Sequence, residues 1–166
     1  MGVAIIHFDI TTLKIVKSHV STFTGSKLYA MQNWNEQTQS ARYARINAHK
    51  ENLLRLFQVN NPVQIVAEDG FFNQRRPNAF AVLMEVQIAI RQAVYEYSHW
   101  RELFLIDPPT VKKAVGVAGN ADKFKVKDGV CALSDLNYEG LIPLNDLDEH
   151  SIDALAVAYA KLKSIT

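Results

Sequence analysis

Cysteine is almost absent: Cys131 stands alone among 166 residues. That excludes a disulfide-stapled scaffold and any metal site built on several thiolates. Long apolar runs are missing as well. None approaches the ~20 residues that cross a bilayer, so no membrane partner is expected. The opening residues, MGVAIIHFDITTLK, put no basic residue ahead of their apolar stretch and make a poor signal peptide. A reducing, cytoplasmic compartment is the expectation. A strong net charge is also missing: 18 lysines and arginines face 17 aspartates and glutamates, leaving +1. A globally basic nucleic-acid coat is thereby excluded. No internal repeat or low-complexity tract occurs. The glycines of Val115-Gly116-Val117-Ala118-Gly119 lack the spacing of a phosphate loop and the lysine-serine/threonine that follows one.

What is present suits one globular domain over residues 1–166. The hydrophobic fraction is 48% and the charged fraction 21%, enough for a sizeable core without disorder. The near-neutral total hides an asymmetry. Residues 110–130 hold Lys112, Lys113, Lys123, Lys125 and Lys127 against Asp122 and Asp128. Residues 131–153 hold Asp135, Glu139, Asp146, Asp148, Glu149 and Asp153, with no lysine or arginine. A basic block beside an acidic block suits a site holding cations next to a polyanion. Two solvated faces of opposite sign would give the same pattern.

The runs GVAIIHFD and LKIVKSHVSTF, around a short polar turn, predict a β-hairpin. Residues 24–37 read as a loop. Ala41, Ala44, Ile46, Leu53, Leu54 and Phe57 predict an amphipathic helix from about Gln39 to Phe57, stopped by Asn60-Asn61-Pro62. Val63 to Ala67 is a short buried strand ending in Glu68-Asp69-Gly70. Asn78 is expected to cap a helix running to Tyr97 with two apolar stripes, one holding Phe80, Leu83, Ile90, Val94 and Tyr97, the other Val82, Val86, Ala89 and Ala93. Two stripes pack against two things, one a sheet and the other a candidate second subunit. Leu103 to Ile106 is the next strand, ended by Asp107-Pro108-Pro109. Short helices follow over Thr110–Val115 and Asp122–Leu133, then a loop over Asn137–Asn145. Asp148 caps a last helix whose apolar face is Ile152, Leu155, Ala156, Tyr159 and Leu162. Strands alternating with helices imply an α/β fold with helices on the faces of a sheet.

Glu68 ends a buried strand, and that edge of an open α/β sheet is where ligands bind. His150 and Asp153, three apart at a helix start, share one face. The three together make a candidate cluster for a divalent metal with oxygen-rich ligands. Equally, Glu68 ends a strand and Asp153 pairs with a lysine. Phe71 and Phe72 with Arg75 and Arg76 form a loop in which aromatics stack on unpaired bases while arginines hold phosphate; the alternative is that one phenylalanine closes the core. Lys112, Lys113 and Lys123 are candidate phosphate contacts, or ordinary exposed lysines. Cys131 reads as a small core residue. His7, His19, His49 and His99 carry no assigned role.

Three segments carry a resemblance. IVAEDGFF resembles a strand ending in a catalytic glutamate with a phenylalanine three residues on. DPPTVKKAVGVAGNADK resembles a signature of proline turn, VKK-type helix, glycine turn and lysine. DEHSIDALAVAYA resembles a C-terminal motif in which an aspartate or histidine precedes Asp-Ala-Leu-Ala by three. In these segments the chain resembles the RuvC family of Holliday junction resolvases along nearly its whole length. The resemblance implies a ribonuclease H-like mixed sheet with helices on both faces, a homodimer, and cleavage of four-way and other branched DNA with two Mg²⁺ per site, Mn²⁺ substituting, in the cytoplasm of a bacterial or phage-infected cell. It implies metal-binding, catalytic roles for Glu68, His150 and Asp153, with Phe71 at the junction and Lys112 and Lys123 on the DNA.

One departure matters. The family's first strand, with its catalytic aspartate, has no counterpart, because Met1-Gly2-Val3-Ala4 resembles the second strand. The expectation is a shortened form of a longer resolvase. Asp9 substitutes only if GVAIIHFD is itself the first strand. Two other readings stay open: a junction-binding protein that does not cut, and a ribonuclease H-like nuclease that processes RNA.

Overall fold

The structure, a computed structural model, describes residues 1–23, 40–70 and 77–165. The order of elements is β1 (Gly2–Asp9), β2 (Lys14–Thr22), α1 (Ala41–Asn60), β3 (Ile65–Glu68), α2 (Pro77–Tyr97), β4 (Leu103–Ile106), α3 (Pro108–Ala114), α4 (Lys123–Cys131), a 3-10 turn (Leu144–Asp146) and α5 (Glu149–Lys163). The expected alternation of strands and helices is present, and the fold is mixed α/β. Among the described residues the strands pair in two ladders, β1 with β2 and β3 with β4. The chain divides into two compact units, Met1–Thr22 with Val66–Asp69 and Leu105–Thr166, and Phe23–Ile65 with Gly70–Phe104.

In the first unit β1 and β2 form the antiparallel hairpin that their alternation predicts, with an irregularity between His7 and Phe8. Asp9 closes the turn. Its Oδ1 accepts from the backbone N–H groups of Thr11 at 2.7 Å and Thr12 at 3.2 Å. Ala4, Ile6 and Phe8 on β1, with Ile15 and Val20 on β2, face the core. Helix α5 packs against β1 and β2 and also against α3 and α4. All five apolar positions expected of α5 are buried, Leu155 and Ala156 completely. Val111, Val115, Val126, Val130, Leu136 and Leu147 complete the cluster. Each fully buried leucine or valine contributes roughly 1.5–3 kcal/mol.

The segment after α4 is not a free loop. Ser18 is wholly buried and donates Oγ to the carbonyl of Leu136 at 2.7 Å. Its backbone N–H donates to Asn137, and its carbonyl accepts from Glu139 at 2.8 Å, making a parallel bridge from β2 to Tyr138. These bonds satisfy buried polar groups on β2 that would otherwise each cost a hydrogen bond's worth of desolvation. Asp135 ties the same segment to α5, accepting from Tyr159 Oη at 3.0 Å and from Lys163 Nζ at 3.2 Å.

In the second unit α1 packs against α2. They run in the same sense, since Arg42 meets Glu85 and, further along both helices, Lys50 meets Glu96, each at 2.7 Å. Ser40 caps α1, and Asn61 ends it in the left-handed region at φ 46°. The helix thus stops where the Asn-Asn-Pro sequence predicts. One expectation fails here: α2 begins at Pro77, so Asn78 lies inside the helix and does not cap it. Proline needs no backbone partner at a first helical position, which makes it the better opener. Of the two stripes on α2, Ala89, Ala93 and Val94 are buried, whereas Val82 and Leu83 are exposed; Ile88 and Tyr95, which lie off both stripes, are exposed as well.

Candidate active site

Four local structures in the first unit set out the site. Strand β3 is hydrophobic through Ala67 and turns acidic at its end, leaving Glu68 with solvent access. Asp107 opens α3, its carboxylate accepting from the Thr110 N–H at 3.0 Å, and Pro108 and Pro109 fill the first turn, where missing N–H groups cost nothing. That helix presents Lys112 and Lys113 in its last turn. Asp122 caps α4 by accepting from the Lys125 N–H at 3.0 Å, which makes Lys123 its first residue. Asp148 caps α5 as expected, accepting from the Ser151 N–H at 2.7 Å. Ser151 is itself buried and shares a hydrogen bond with Thr22 at 2.6 Å, fastening the start of α5 to the end of β2.

Glu68 and Asp153 are brought within electrostatic reach of one another. The Glu68 carboxyl is held above its ordinary pKa, first by desolvation and then by the charge of Asp153; Lys112 and Lys123 pull it the other way. Asp153, half-buried on α5, is likewise raised, chiefly by desolvation. Lys123 opposes that rise and Glu149 adds to it, with His150 and Lys112 also opposing. Two acids pushed towards protonation, with two lysines partly offsetting them, form a site short of positive charge.

The lysines are held. Lys112 Nζ donates to the Ala121 carbonyl at 2.7 Å, spanning the turn between α3 and α4. Lys123 Nζ pairs with Glu149 Oε2 at 2.7 Å, and Glu149 and Asp153 lie one turn apart on α5. His150 is exposed, its Nε2 at 4.0 Å from Glu149 Oε1. Lys113 is exposed on α3. Of the residues singled out from sequence, Glu68, Asp153, Lys112 and Lys123 act on one another, and His150 acts on Asp153. Phe71, Phe72, Arg75 and Arg76 lie outside the described residues. The Asp9 carboxylate is occupied by its own turn, and the hydrogen bonds from Thr11 and Thr12 hold its pKa below the usual range. Cys131 is half-buried, and desolvation raises its thiol pKa.

Glu149 is the site residue that sequence reasoning passed over. Its (i, i+4) spacing to Asp153 was the available signal. Among the described residues no three His, Cys, Asp or Glu side chains are grouped so as to hold a metal ion by themselves. The donor chemistry nevertheless suits a hard divalent cation. Glu68 and Asp153 offer carboxylate oxygens whose raised pKa values a cation would relieve, and Mg²⁺ takes one or two carboxylates while keeping several waters.

No helix among the described residues is long and apolar enough to cross a membrane. No protein-family model matches the sequence, and no curated protein sequence matches it. Solved structures do. The chain is similar to the RuvC structure of Thermus thermophilus, with 18% identity, a TM-score of 0.65, and coverage of 99% of this chain and 88% of that one. It is similar also to T. thermophilus RuvC in complex with a Holliday junction substrate, with 17% identity, a TM-score of 0.64, and coverage of 99% and 87%. The likeness shows that this chain has a RuvC-like, ribonuclease H-like fold.

Proposed function

We propose that this protein is a structure-selective endonuclease that binds four-way and other branched DNA and hydrolyses a phosphodiester with Mg²⁺. The observation that carries the reading is the Glu68–Asp153 carboxylate pair, raised towards protonation and flanked by Lys112 and Lys123. The likeness to a fold that has been solved with a Holliday junction supports the choice of substrate. Glu68 and Asp153, with His150 beside them, would hold the cations. Two such ions, when bound, activate water and stabilise the leaving oxygen. Lys123 and Lys112 would draw the phosphate towards the acids, offsetting the repulsion that two carboxylates exert on a polyanion. Glu149 would hold the Lys123 ammonium in place while no phosphate is present. Arg75, Arg76 and Lys113 would add backbone contacts, and Phe71 and Phe72 would meet bases at the branch. Helix α2, which exposes Val82, Leu83, Ile88 and Tyr95, is the element through which a homodimer would form. A two-fold dimer would present one site to each of two strands of a two-fold junction.

A second reading, a junction binder that does not cut, is favoured by one observation: among the described residues the acids do not amount to a three-ligand group. The test is to offer a labelled four-way junction, and a duplex of the same sequence, with and without Mg²⁺. The proposal expects Mg²⁺-dependent nicking of the junction. Junction-selective binding without nicking would select the second reading, and no preference for the junction would refute both. Sedimentation of the free protein checks the dimer, and a monomer at micromolar concentration would refute it.

A further inference from the structure

Phe124 lies 83% exposed on the first turn of α4, an unusual setting for a phenylalanine. Its exposure follows from the register of the helix. Val126, Gly129 and Val130 are the buried residues of α4, and Phe124 lies on the opposite side. The residue before it is Lys123, whose ammonium pairs at 2.7 Å with Glu149, one turn from Asp153; the residue after it is the exposed Lys125, whose ammonium lies 3.8 Å from Asp122. Successive helical residues point about 100° apart. Lys123 therefore addresses the carboxylates, while Phe124 addresses whatever lies beside them.

We infer that Phe124 is a stacking platform for an unpaired nucleobase next to the phosphate at the Glu68–Asp153 site, and so a determinant of which branch positions are engaged. This rests on the nucleic-acid reading above and adds a contact to it. A ring flanked by lysines suits a base attached to phosphates better than it suits an apolar protein surface, which would have to desolvate both ammonium groups. In intact duplex both faces of each base are already stacked. A branch point that opens in the complex leaves a base with one face free, so the contact discriminates branched from linear DNA without reading sequence.

The experiment compares wild-type protein, Phe124→Ala and Phe124→Trp, in Ca²⁺ so that cutting does not interfere. The DNAs are a four-way junction with 2-aminopurine at the branch point and a duplex with 2-aminopurine at the same position. Removing one stacked base is expected to weaken junction affinity roughly tenfold, with duplex affinity, salt dependence and melting temperature unchanged. Phe124→Trp should retain the affinity. Wild-type protein and the tryptophan variant should change 2-aminopurine fluorescence in the junction, and the alanine variant should not. Equal junction affinity and equal fluorescence for wild type and alanine would overturn the inference while leaving the nuclease reading standing. Loss of affinity in both variants with a lowered melting temperature would make Phe124 structural and overturn it also. Failure of wild-type protein to prefer the junction would refute the nucleic-acid reading, and this inference with it.

Discussion

Gly129 is the place where packing and site are most directly linked. It lies in the middle of α4, a position where glycine ordinarily costs about 1 kcal/mol relative to alanine. A Cβ there would lie 2.5 Å from the backbone carbonyl of Val115 and 3.0 Å from Val117 Cγ1. Val115 is buried, 2% exposed, and its carbonyl is backbone, so neither can swing aside as a long side chain does. Overpacking of this kind costs roughly 1–3 kcal/mol, and a backbone clash belongs in the upper half of that range. The helix-propensity gain returns about 1 kcal/mol. Gly129→Ala should therefore destabilise by about 1–2 kcal/mol, a fall of roughly 2–8 °C in melting temperature for a chain of this size. Because α4 also carries Lys123, junction cleavage measured well below the melting temperature should fall too. Asp128→Ala is the control. Asp128 is exposed, so the change has the propensity gain without the clash and should be neutral or slightly stabilising. A Gly129→Ala protein as stable as wild type or more so would refute the close approach of α4 to Val115.

Leu155 is fully buried at the centre of the first unit, so Leu155→Ala should cost roughly 2–5 kcal/mol, visible in urea or thermal unfolding; a loss under ~1 kcal/mol would mean that α5 does not form the core. Glu68 and Asp153 have raised pKa values, so between the ordinary carboxylate value of ~4 and their folded values the folded chain binds more protons than the unfolded one. Their contribution to stability is accordingly present at low pH and is lost as pH rises through that window. Without metal, Glu68→Gln should flatten this decline and melt no lower than wild type at neutral pH; a clearly lower melting temperature would refute the repulsion.

Much of the fold was legible because the signals are local. Asp148 before an apolar stripe, or Asn-Asn-Pro after one, marks a helix end wherever the rest of the chain lies. The partners of the 136–139 segment were not legible, because the bonds to Ser18 join residues far apart in sequence and no local pattern announces them. Asn78 misled because it is a good cap in isolation and the preceding Pro77 is a better first residue. At the site, His150 and Asp153 could be placed on one face from spacing alone. That Lys123 would pair with Glu149, or that Phe124 would point away from the core, depended on which face of α4 is buried. That face is set by Val126, Gly129 and Val130, and a short helix with a glycine among lysines has a weak apolar stripe.

Glu68 and Asp153 are expected to serve chemistry and not DNA affinity. The most direct measurement puts wild type, Glu68→Gln and Asp153→Asn through nicking and gel-shift assays on one four-way junction, with Mg²⁺ for cutting and without it for binding. Removing an acid beside a polyanion should leave binding unchanged or tighter. Both variants are expected to bind the junction at least as well as wild type and to cut it at none of the Mg²⁺ concentrations that support wild-type cleavage. Parallel loss of binding and cutting, or cutting that survives either substitution, would contradict it.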